Sequence, residues 1–308
     1  MLTSVASLLN ATPTRQILTP NIYSHIISRL AGHYAPRESQ AIARILIEDL
    51  LHLPLSHAMA GITPMPSVQE RQTLDCAISR LLANEPIQYI LGKTSFRSNT
   101  LLVNPSVLIP RPETEQLIDI ALSLPFPTRA GKTDGTQTND MPTVMDACTG
   151  SGCIAIALKT EQPLWTIHAC DISTEALQVA RENASLNNVA INFHHTDLLS
   201  ANTPSGPYHL IVSNPPYVMD KEKSSMEPHV LNCEPHLALF VPDGNRLVFY
   251  EALANWGNKS LLPAGWLLAE INPQLSQETK TLFEAHQYSD CTIINDNYGK
   301  ERFIRCRK

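Results

Sequence analysis

The sequence predicts an α/β protein in which a small helical bundle precedes a mostly parallel β-sheet with helices on both faces. Apolar residues recur at helical spacing before about residue 84, and strand-like and helix-like segments alternate from residue 143 onward. The length of 308 residues exceeds what a single core usually supports. Two domains are therefore expected.

The helical bundle is expected over residues 1–92. Two series of apolar residues at steps of three and four follow the N-cap candidates Ser39 and Ser67. Prolines separate the pieces, so several short helices that pack as a bundle are predicted. The apolar positions are Ile42, Ile45, Leu46, Leu50 and Leu53, followed by Leu74, Ile78, Leu81 and Leu82.

Residues 93–110 are expected to form a β-hairpin that links the bundle to the second domain. The apolar stretch over 96–109 is interrupted by Asn104-Pro105, a pair that favours a turn. A helix over 112–124 should follow, because proline suits an early helical position. Residues 127–142 are polar, which predicts a solvated loop.

The second domain, residues 111–308, is expected to contain seven strands alternating with helices. This alternation is typical of a parallel sheet whose crossover helices cover both faces. The predicted strands are 144–148, 165–170, 191–195, 208–213, 265–271, 291–295 and 302–306, and the predicted helices start at 153 and cover 174–186, 246–260 and 274–286.

Composition excludes several classes of protein. The net charge of -6 argues against a surface that follows a nucleic-acid backbone, so no direct nucleic-acid binding is expected. The seven cysteines form no C-x-x-C pair, and the histidines lack metal-ligand spacing, so reduced thiols and no metal are expected. No apolar run reaches the roughly 18 residues of a membrane span, and the first residues lack the basic region of a signal peptide. We therefore expect a cytoplasmic protein without membrane association.

A glycine-rich turn follows the first strand of the second domain. Cys148-Thr149-Gly150-Ser151-Gly152 lies between this strand and a helix, where glycines let the backbone approach a ligand and the helix start offers free N–H groups. Asp171 closes the next strand, where a carboxylate can accept hydrogen bonds from both ribose hydroxyls. Leu198 follows the third strand, where an adenine base would lie. These residues fit a methyltransferase, a dinucleotide-dependent dehydrogenase or a turn whose glycines serve packing only.

The segment Asn214-Pro215-Pro216-Tyr217, directly after the fourth strand, decides between these interpretations. The two prolines remove backbone donors and lock φ, which leaves a rigid edge rich in acceptors. The Asn214 side-chain oxygen and the Pro215 carbonyl can accept both hydrogens of one –NH₂ group, and the Tyr217 ring can lie against a planar group. This grip aims a delocalised nitrogen lone pair at a methyl donor, so the segment indicates transfer to an amide or aromatic amine nitrogen. A dehydrogenase has no use for it, and a proline turn that merely ends a strand is the structural alternative.

Four segments give the chain a resemblance to the protein-(glutamine-N5) methyltransferases of peptide-chain release factors, the PrmC/HemK family. The second is the most specific, because related methyltransferases of ribosomal protein and of DNA diverge from it or lack it. The segments are Glu85-Pro-Ile-Gln-Tyr-Ile-Leu-Gly92, Val107-Leu-Ile-Pro-Arg-Pro-Glu-Thr-Glu115, Asn214-Pro-Pro-Tyr217, and Glu234-Pro235 with Ala238-Leu239 and Asp243-Gly244.

The resemblance implies a Rossmann-like class I methyltransferase sheet of seven strands, the last of them antiparallel, behind an N-terminal helical bundle. It implies S-adenosylmethionine as cofactor, S-adenosylhomocysteine as product, and the glutamine of the release factor's Gly-Gly-Gln loop as methyl acceptor. It further implies that the bundle helps to bind the release factor. We expect the protein to act as a monomer.

The resemblance also assigns roles to individual residues. Catalysis would fall to Asn214, Pro215 and Tyr217. Arg111 equally fits a structural ion pair, and Glu234 fits either substrate binding or a cap of the following turn. The cofactor would contact Cys148, Thr149, Gly150, Ser151, Gly152, Asp171, Leu198 and Asn214, and the substrate would contact Asn214, Pro215, Pro216, Tyr217, Arg111 and Glu113.

Two positions depart from the family's pattern. Cys148 stands where a glycine is expected, which implies either backbone strain or an ordinary backbone at that position. Asn272 also replaces an expected glycine, and asparagine tolerates a left-handed conformation. The competing hypotheses are an amino-methyltransferase acting on DNA or RNA adenine or on a ribosomal-protein glutamine, and a binding protein with an inactive site.

Overall fold

The computed structural model describes residues 21–63, 66–126 and 141–308. The chain divides into two compact units, one ending at Ala83 and the other spanning Asn84–Lys308. The loop expected over 127–142 lies outside the described residues except for its last two positions. Within the described ranges, no helix has both the length and the apolar character needed to cross a membrane.

The first unit contains four helices within its described residues: α1 (Ile22–Leu30), α2 (Pro36–Ile45), α3 (Leu55–Ala60) and α4 (Val68–Leu82). A π-helical turn, Leu46–Leu50, continues α2. Ser67 caps α4 as expected, in a reciprocal capping box with Glu70. The expected cap at Ser39 is wrong, because α2 already begins at Pro36, whose fixed φ suits the first helical position.

The second unit opens with a short helix and the predicted hairpin. Helix α5 (Ile87–Leu91) leads into β1 (Lys93–Phe96), which pairs antiparallel with β2 (Asn99–Leu102). The buried side chains of Phe96 and Leu101 anchor the hairpin in the core of this unit. The helix expected over 112–124 forms as a 3₁₀ turn, Pro112–Thr114, followed by α6 (Glu115–Ser123).

A seven-stranded sheet forms the centre of the second unit. Its strands are β3 (Thr143–Ala147), β4 (Thr166–Asp171), β5 (Asn192–His195), β6 (Tyr208–Ser213), β9 (Leu261–Glu270), β10 (Ser289–Asn295) and β11 (Glu301–Arg307). They run in the order β10-β11-β9-β6-β3-β4-β5, and β11 is antiparallel to both of its neighbours while the other pairs are parallel. The prediction of a mostly parallel sheet with an antiparallel last strand is confirmed.

Helices cover both faces of this sheet. Strand β3 shows why, since Val144 belongs to the apolar cluster on one face and Met145 to the cluster on the other. The segment after β6 adds a short helix, α9 (Pro228–Cys233), and a parallel pair of two-residue strands, β7 (Val218–Met219) and β8 (Phe240–Val241), that sequence patterns did not reveal. The remaining helices are α7 (Cys153–Glu161), α8 (Thr174–Leu186), α10 (Val248–Ser260) and α11 (Ser276–Ala285).

This topology decides where a ligand can bind. Parallel strands β3, β4, β5 and β6 all end at the same edge of the sheet, so the loops that follow them meet there. In open α/β sheets, ligands bind in the crevice outside these carboxyl ends. The glycine turn, Asp171, Leu198 and Asn214 all lie in or directly before these loops.

Candidate active site

A cavity of about 440 Å³ lies at the carboxyl ends of these parallel strands. This volume is within the roughly 300–1,000 Å³ typical of small-molecule sites. Four of the predicted site residues do not line it: Glu113, Gly152, Pro215 and Tyr217. The structure brings the others together in one wall, namely Arg111, Cys148, Thr149, Gly150, Ser151, Asp171, Leu198, Asn214 and Pro216.

The glycine turn is held in place by backbone conformation and by packing. Gly150 and Gly152 have φ values of 53° and 83°, in the left-handed region that glycine adopts without strain. A Cβ on Gly152 would lie 3.1 Å from Ile156 Cδ1 and 3.2 Å from Ala180 Cβ. Gly152 therefore serves the close approach of α7 to α8 beneath the cavity, while Gly150 faces the ligand.

Cys148 also adopts a left-handed conformation, with φ 58°. Of the two alternatives for this position, the structure shows the strained backbone. Left-handed φ brings the Cβ of an L-residue close to its own carbonyl oxygen, at a cost of about 1–2 kcal/mol. Burial raises the pKa of the Cys148 thiol well above its ordinary value, so the side chain is a neutral wall of the cavity.

Replacing Cys148 by glycine and by alanine separates backbone strain from the loss of sulfur. Both variants remove the thiol, but only glycine accepts φ 58° without strain. We expect the free energy of unfolding of Cys148→Gly to exceed that of Cys148→Ala by about 1 kcal/mol in urea titrations. Equal stability of the two variants would contradict the assignment of strain.

Asp171 is held by two backbone donors at the end of β4. Its Oδ2 accepts a hydrogen bond from Gly150 N at 2.8 Å, and its Oδ1 accepts one from Ser173 N at 3.0 Å. Burial raises the pKa of Asp171, an effect that these two bonds oppose. Since a carboxylate offers about four acceptor sites, each oxygen keeps a lone pair for a ribose hydroxyl on the cavity side.

Asp146, on β3 beneath the glycine turn, was missed by sequence reasoning. Its side chain is fully buried, and Oδ2 accepts hydrogen bonds from Thr149 Oγ1 at 2.6 Å and from Ala155 N at 3.1 Å. Its Oδ1 has no hydrogen-bond partner among the described residues. Burial raises the pKa of Asp146 to about 7, so this carboxyl ties the turn to the start of α7 and holds a proton under mildly acidic conditions.

This carboxyl should make the protein less stable as pH rises. A pKa near 7 in the fold, above the ordinary 3.8, means that the native state binds the extra proton between these values, so stability falls as pH rises through that window. We expect Asp146→Asn to lack this contribution. Between about pH 5 and about pH 8, wild type should lose on the order of 1–3 kcal/mol relative to the variant in urea unfolding. If the free energies of unfolding of the two proteins change with pH in parallel, Asp146 does not make this contribution.

The Asn-Pro-Pro-Tyr segment leaves β6 as a rigid edge. Asn214 and Pro216 line the cavity, whereas Pro215 is buried behind them. Tyr217 packs against the core, and its hydroxyl donates to Glu270 Oε1 at 2.8 Å. The Tyr217 hydroxyl is therefore bound to Glu270, and Tyr217 does not line the cavity.

Arg111 and Glu234 form an ion pair across two loops. Arg111 Nη2 lies 2.6 Å from Glu234 Oε1, and Glu234 Oε2 accepts from Ile109 N at 3.2 Å. The Glu234 side chain is fully buried, while Arg111 is partly exposed and lines the cavity. The alternative that Glu234 caps the turn after it is wrong, because both of its carboxylate oxygens accept hydrogen bonds from Ile109 and Arg111, which precede α6. Glu113 is half-buried and lies off the cavity.

Asn272 does not take the left-handed conformation that its place in the pattern suggested. Its φ is −68°, so the tolerance of asparagine for left-handed backbone is not used here. Its side chain instead makes hydrogen bonds that glycine could not make. Nδ2 donates to Tyr217 O at 3.0 Å and to Glu222 Oε2 at 2.8 Å, and Oδ1 accepts from Gln274 N at 2.9 Å. Asn272 therefore fixes the backbone at the end of the Asn-Pro-Pro-Tyr segment.

Glu270 and Thr114 are two further residues that sequence reasoning missed. Glu270 is buried at the end of β9 and accepts hydrogen bonds from Tyr217 and Thr114 hydroxyls, both at 2.8 Å. Burial raises the pKa of Glu270 and that of Tyr217. The available signal was a lone carboxylate at the carboxyl end of an otherwise apolar strand.

The cavity fits S-adenosylmethionine. Ile172 and Leu198 would form apolar walls for an adenine base, the remaining lone pairs of Asp171 would accept hydrogen bonds from ribose hydroxyls, and the glycine turn would let the rest of the cofactor approach the backbone. Asn214 lines the same cavity. The fold and this site together define an S-adenosylmethionine-dependent methyltransferase.

Comparisons with known proteins narrow this class. Residues 135–239 match the Methyltransferase small domain, and residues 21–92 match the PrmC N-terminal domain. The chain is 38% identical to the release factor glutamine methyltransferase of Bacteroides thetaiotaomicron over 93% of this chain and 99% of that protein. It is 34% identical to the enzyme of the same name from Flavobacterium psychrophilum, over 94% and 99%. The chain belongs to the release factor glutamine methyltransferase family.

Solved structures support the fold. The crystal structure of the hMettl16 catalytic domain in complex with MAT2A 3'UTR hairpin 6 aligns with a TM-score of 0.51 and 15% sequence identity, over 72% of this chain and 80% of that one. At this level of identity the likeness concerns the architecture of the sheet and its helices.

Proposed function

We propose that this enzyme transfers the methyl group of S-adenosylmethionine to the side-chain amide nitrogen, N5, of the glutamine in the Gly-Gly-Gln loop of peptide-chain release factors. One observation carries the proposal: the acceptor-rich edge of Asn214 and Pro216 lies on the wall of the same cavity as Asp171 and the glycine turn. A nitrogen held by that edge faces a methyl donor held by that turn. The relatives' name, release factor glutamine methyltransferase, supports a release-factor glutamine as the acceptor.

The chain's own residues act by orientation. S-adenosylmethionine, when bound, supplies an electrophilic methyl group on a sulfonium. The Asn214 side-chain oxygen and the backbone carbonyl of Pro215, which lies between the two lining residues Asn214 and Pro216, accept hydrogen bonds from the two amide N–H groups of the glutamine. This grip favours sp³ character at nitrogen and aims its lone pair at the methyl carbon. As the N–C bond forms, the C–S bond breaks and its electrons stay on sulfur. Catalysis comes mainly from positioning and from exclusion of water.

The buried carboxylates around the cavity have other tasks than proton removal. Asp171 is engaged by Gly150 N and Ser173 N, and Glu270 is engaged by two hydroxyl donors. No general base is needed before the methyl group moves, because the amide proton becomes strongly acidic only once the N–C bond forms. That proton then leaves to solvent.

The first unit fits a role in substrate binding. Its described residues, 21–63 and 66–83, fall within the match to the PrmC N-terminal domain, which reaches residue 92. We assign residues 1–92 to release-factor binding, 93–110 to the hairpin linker and 111–308 to the methyltransferase domain. As part of this proposal the enzyme is a cytoplasmic monomer that does not bind nucleic acid directly.

Methyl transfer to a purified release factor tests the proposal. Labelled S-adenosylmethionine is supplied with the enzyme and with either the natural release factor or a copy whose Gly-Gly-Gln glutamine is alanine. We expect label in the first and none in the second. Equal labelling of both proteins would overturn the proposed acceptor.

Other outcomes of the same assay identify the competing functions. Label that appears only in nucleic acid or in a ribosomal protein would replace the release factor as substrate. No measurable binding of S-adenosylmethionine or S-adenosylhomocysteine by calorimetry would instead show an inactive site, with strained Cys148 as the first residue to restore to glycine.

A further inference from the structure

A single buried carboxylate is connected to both polar side chains of the methyl-transfer edge. Glu270 accepts from Tyr217 directly and from Thr114, and Thr114 Oγ1 in turn lies 3.5 Å from Asn214 Nδ2. Thr114 and Glu270 are 1% and 2% exposed, so neither hydroxyl nor carboxylate exchanges these partners for bulk water. The arrangement is a chain of hydrogen bonds with a fixed direction.

Sheet order creates this juxtaposition. Strand β9 pairs with β6, and Ser213 stands opposite Ala269, so Glu270 and Asn214 follow neighbouring strand positions. Thr114 closes the 3₁₀ turn before α6 and reaches both from the other side. Residues from three distant parts of the sequence therefore meet at the cavity wall.

The direction of these hydrogen bonds decides whether the oxygen or the nitrogen of the Asn214 amide faces the cavity. When Glu270 is ionised, its carboxylate only accepts, so the Tyr217 and Thr114 hydroxyls both donate to it. The Thr114 hydroxyl has one proton, and once that proton points at Glu270 Oε2 its oxygen presents lone pairs to Asn214. The amide nitrogen turns toward Thr114, and Oδ1 remains as the free acceptor on the cavity wall.

We propose that Glu270 is a positioning residue that, through Thr114, fixes the Asn214 amide with its oxygen toward the substrate, while it holds Tyr217 directly. This inference rests on the proposed function, because it concerns how that edge grips an –NH₂ group. Without the carboxylate, the amide can present its own –NH₂ to the glutamine –NH₂, which sets donor against donor.

The substitution Glu270→Gln should reverse the direction of these hydrogen bonds. Its side-chain –NH₂ must donate to one of the two hydroxyls, and a Thr114 hydroxyl that accepts this bond can donate to Asn214 Oδ1. The flipped amide would then no longer accept an N–H from substrate. The shape of the site is preserved, so the effect belongs to hydrogen-bond polarity.

The test compares Glu270→Gln, Thr114→Val and Thr114→Ser with Thr279→Val as matched control. Thr279 is a fully buried threonine on α11 whose hydroxyl donates to Leu275 O, away from the cavity. We expect kcat for release-factor methylation to fall roughly tenfold or more in Glu270→Gln and Thr114→Val. Thr114→Ser should restore it to within about twofold, and the control should match wild type. S-adenosylhomocysteine affinity should change by less than about tenfold throughout, since Asp171 and the glycine turn still line the cavity.

A second measurement needs no substrate. In protein labelled with ¹⁵N-asparagine, the Asn214 side-chain –NH₂ signals are assigned by their loss in Asn214→Ala. We expect Thr114→Val to shift them and Thr279→Val to leave them in place. Unshifted signals together with full activity in Thr114→Val would overturn the positioning role. If the Asn214 signals shift in Thr114→Val as expected but the wild-type enzyme methylates no release factor, the proposed function is overturned instead.

Discussion

Asn214→Ala is expected to lower kcat for release-factor methylation by at least roughly 1,000-fold while S-adenosylhomocysteine affinity changes by less than about tenfold. The variant removes the side-chain acceptor that holds one amide N–H, so the glutamine nitrogen loses its orientation toward the methyl group. Asn214 is one of many residues on the cavity wall, so the cofactor keeps its other contacts. Single-turnover kinetics and calorimetry measure the two effects separately.

Asn258→Ala provides the control for that experiment. Asn258 is an exposed asparagine on α10 whose Nδ2 donates to His286 O, at a distance from the cavity lining. Its activity should remain within about twofold of wild type. If Asn214→Ala retains full activity, or loses cofactor binding as severely as catalysis, the role of Asn214 in holding the amide is disproved.

Asp171→Asn is expected to weaken S-adenosylmethionine and S-adenosylhomocysteine binding by roughly 100-fold. Hydrogen bonds to a charged group contribute about 1.5–3 kcal/mol each, and we propose that both ribose hydroxyls donate to this carboxylate. In wild type both Gly150 N and Ser173 N donate to the Asp171 carboxylate, so the –NH₂ group of asparagine would face one of these donors and lose that hydrogen bond. Calorimetric titration with S-adenosylhomocysteine measures the change.

Asp119→Asn is the matched carboxylate control for this prediction. Asp119 lies on α6, is largely exposed, pairs with Arg97 at 2.8 Å and does not line the cavity. Its cofactor affinity should equal that of wild type. Thermal unfolding of both variants distinguishes a damaged turn from lost ligand contacts, and unchanged affinity in Asp171→Asn would remove this residue from the ribose site.

Much of the fold followed from local patterns. Strands β3, β6 and β9 contain short apolar runs next to turn residues, and the crossover helices have apolar residues at helical spacing, so these elements are visible without knowledge of tertiary structure. Boundaries were less accurate. Strand β9 begins at Leu261, whereas the pattern suggested residue 265, because Pro263 and Gly265 interrupt the apolar run. The two-residue strands β7 and β8 exist only through their pairing with each other.

The site residues likewise fall into those that local sequence patterns could place and those that depend on tertiary structure. Asp171, Leu198 and Asn214 could be placed because they lie at or shortly after the ends of strands that a parallel sheet must align at one edge. Glu270, Thr114 and Asp146 could not, since their roles depend on which strands are neighbours and on which groups are buried together. The pairing of Arg111 with Glu234 likewise joins residues 123 positions apart, and no local pattern encodes it.

The order of strands has a consequence for how this enzyme is made on the ribosome. Strand β11 follows β9 and β10 in sequence, yet it lies between them and pairs with both. Chains emerge from the amino terminus onward, so each of these two strands appears before the neighbour that separates them. Until β11 arrives, β9 has an unpaired edge, and such edges invite pairing with other chains.

The same strand completes the support of the methyl-transfer edge. Phe303 stands opposite Glu270, and the backbone of Arg302 accepts a hydrogen bond from Ile271 N at 2.8 Å. A nascent chain that has already formed the glycine turn and the Asn-Pro-Pro-Tyr segment therefore still lacks the strand that holds Glu270. We therefore expect the cofactor-binding loops to be synthesised before the strand that supports Glu270. The enzyme should become able to transfer a methyl group only once β11 has inserted between β9 and β10.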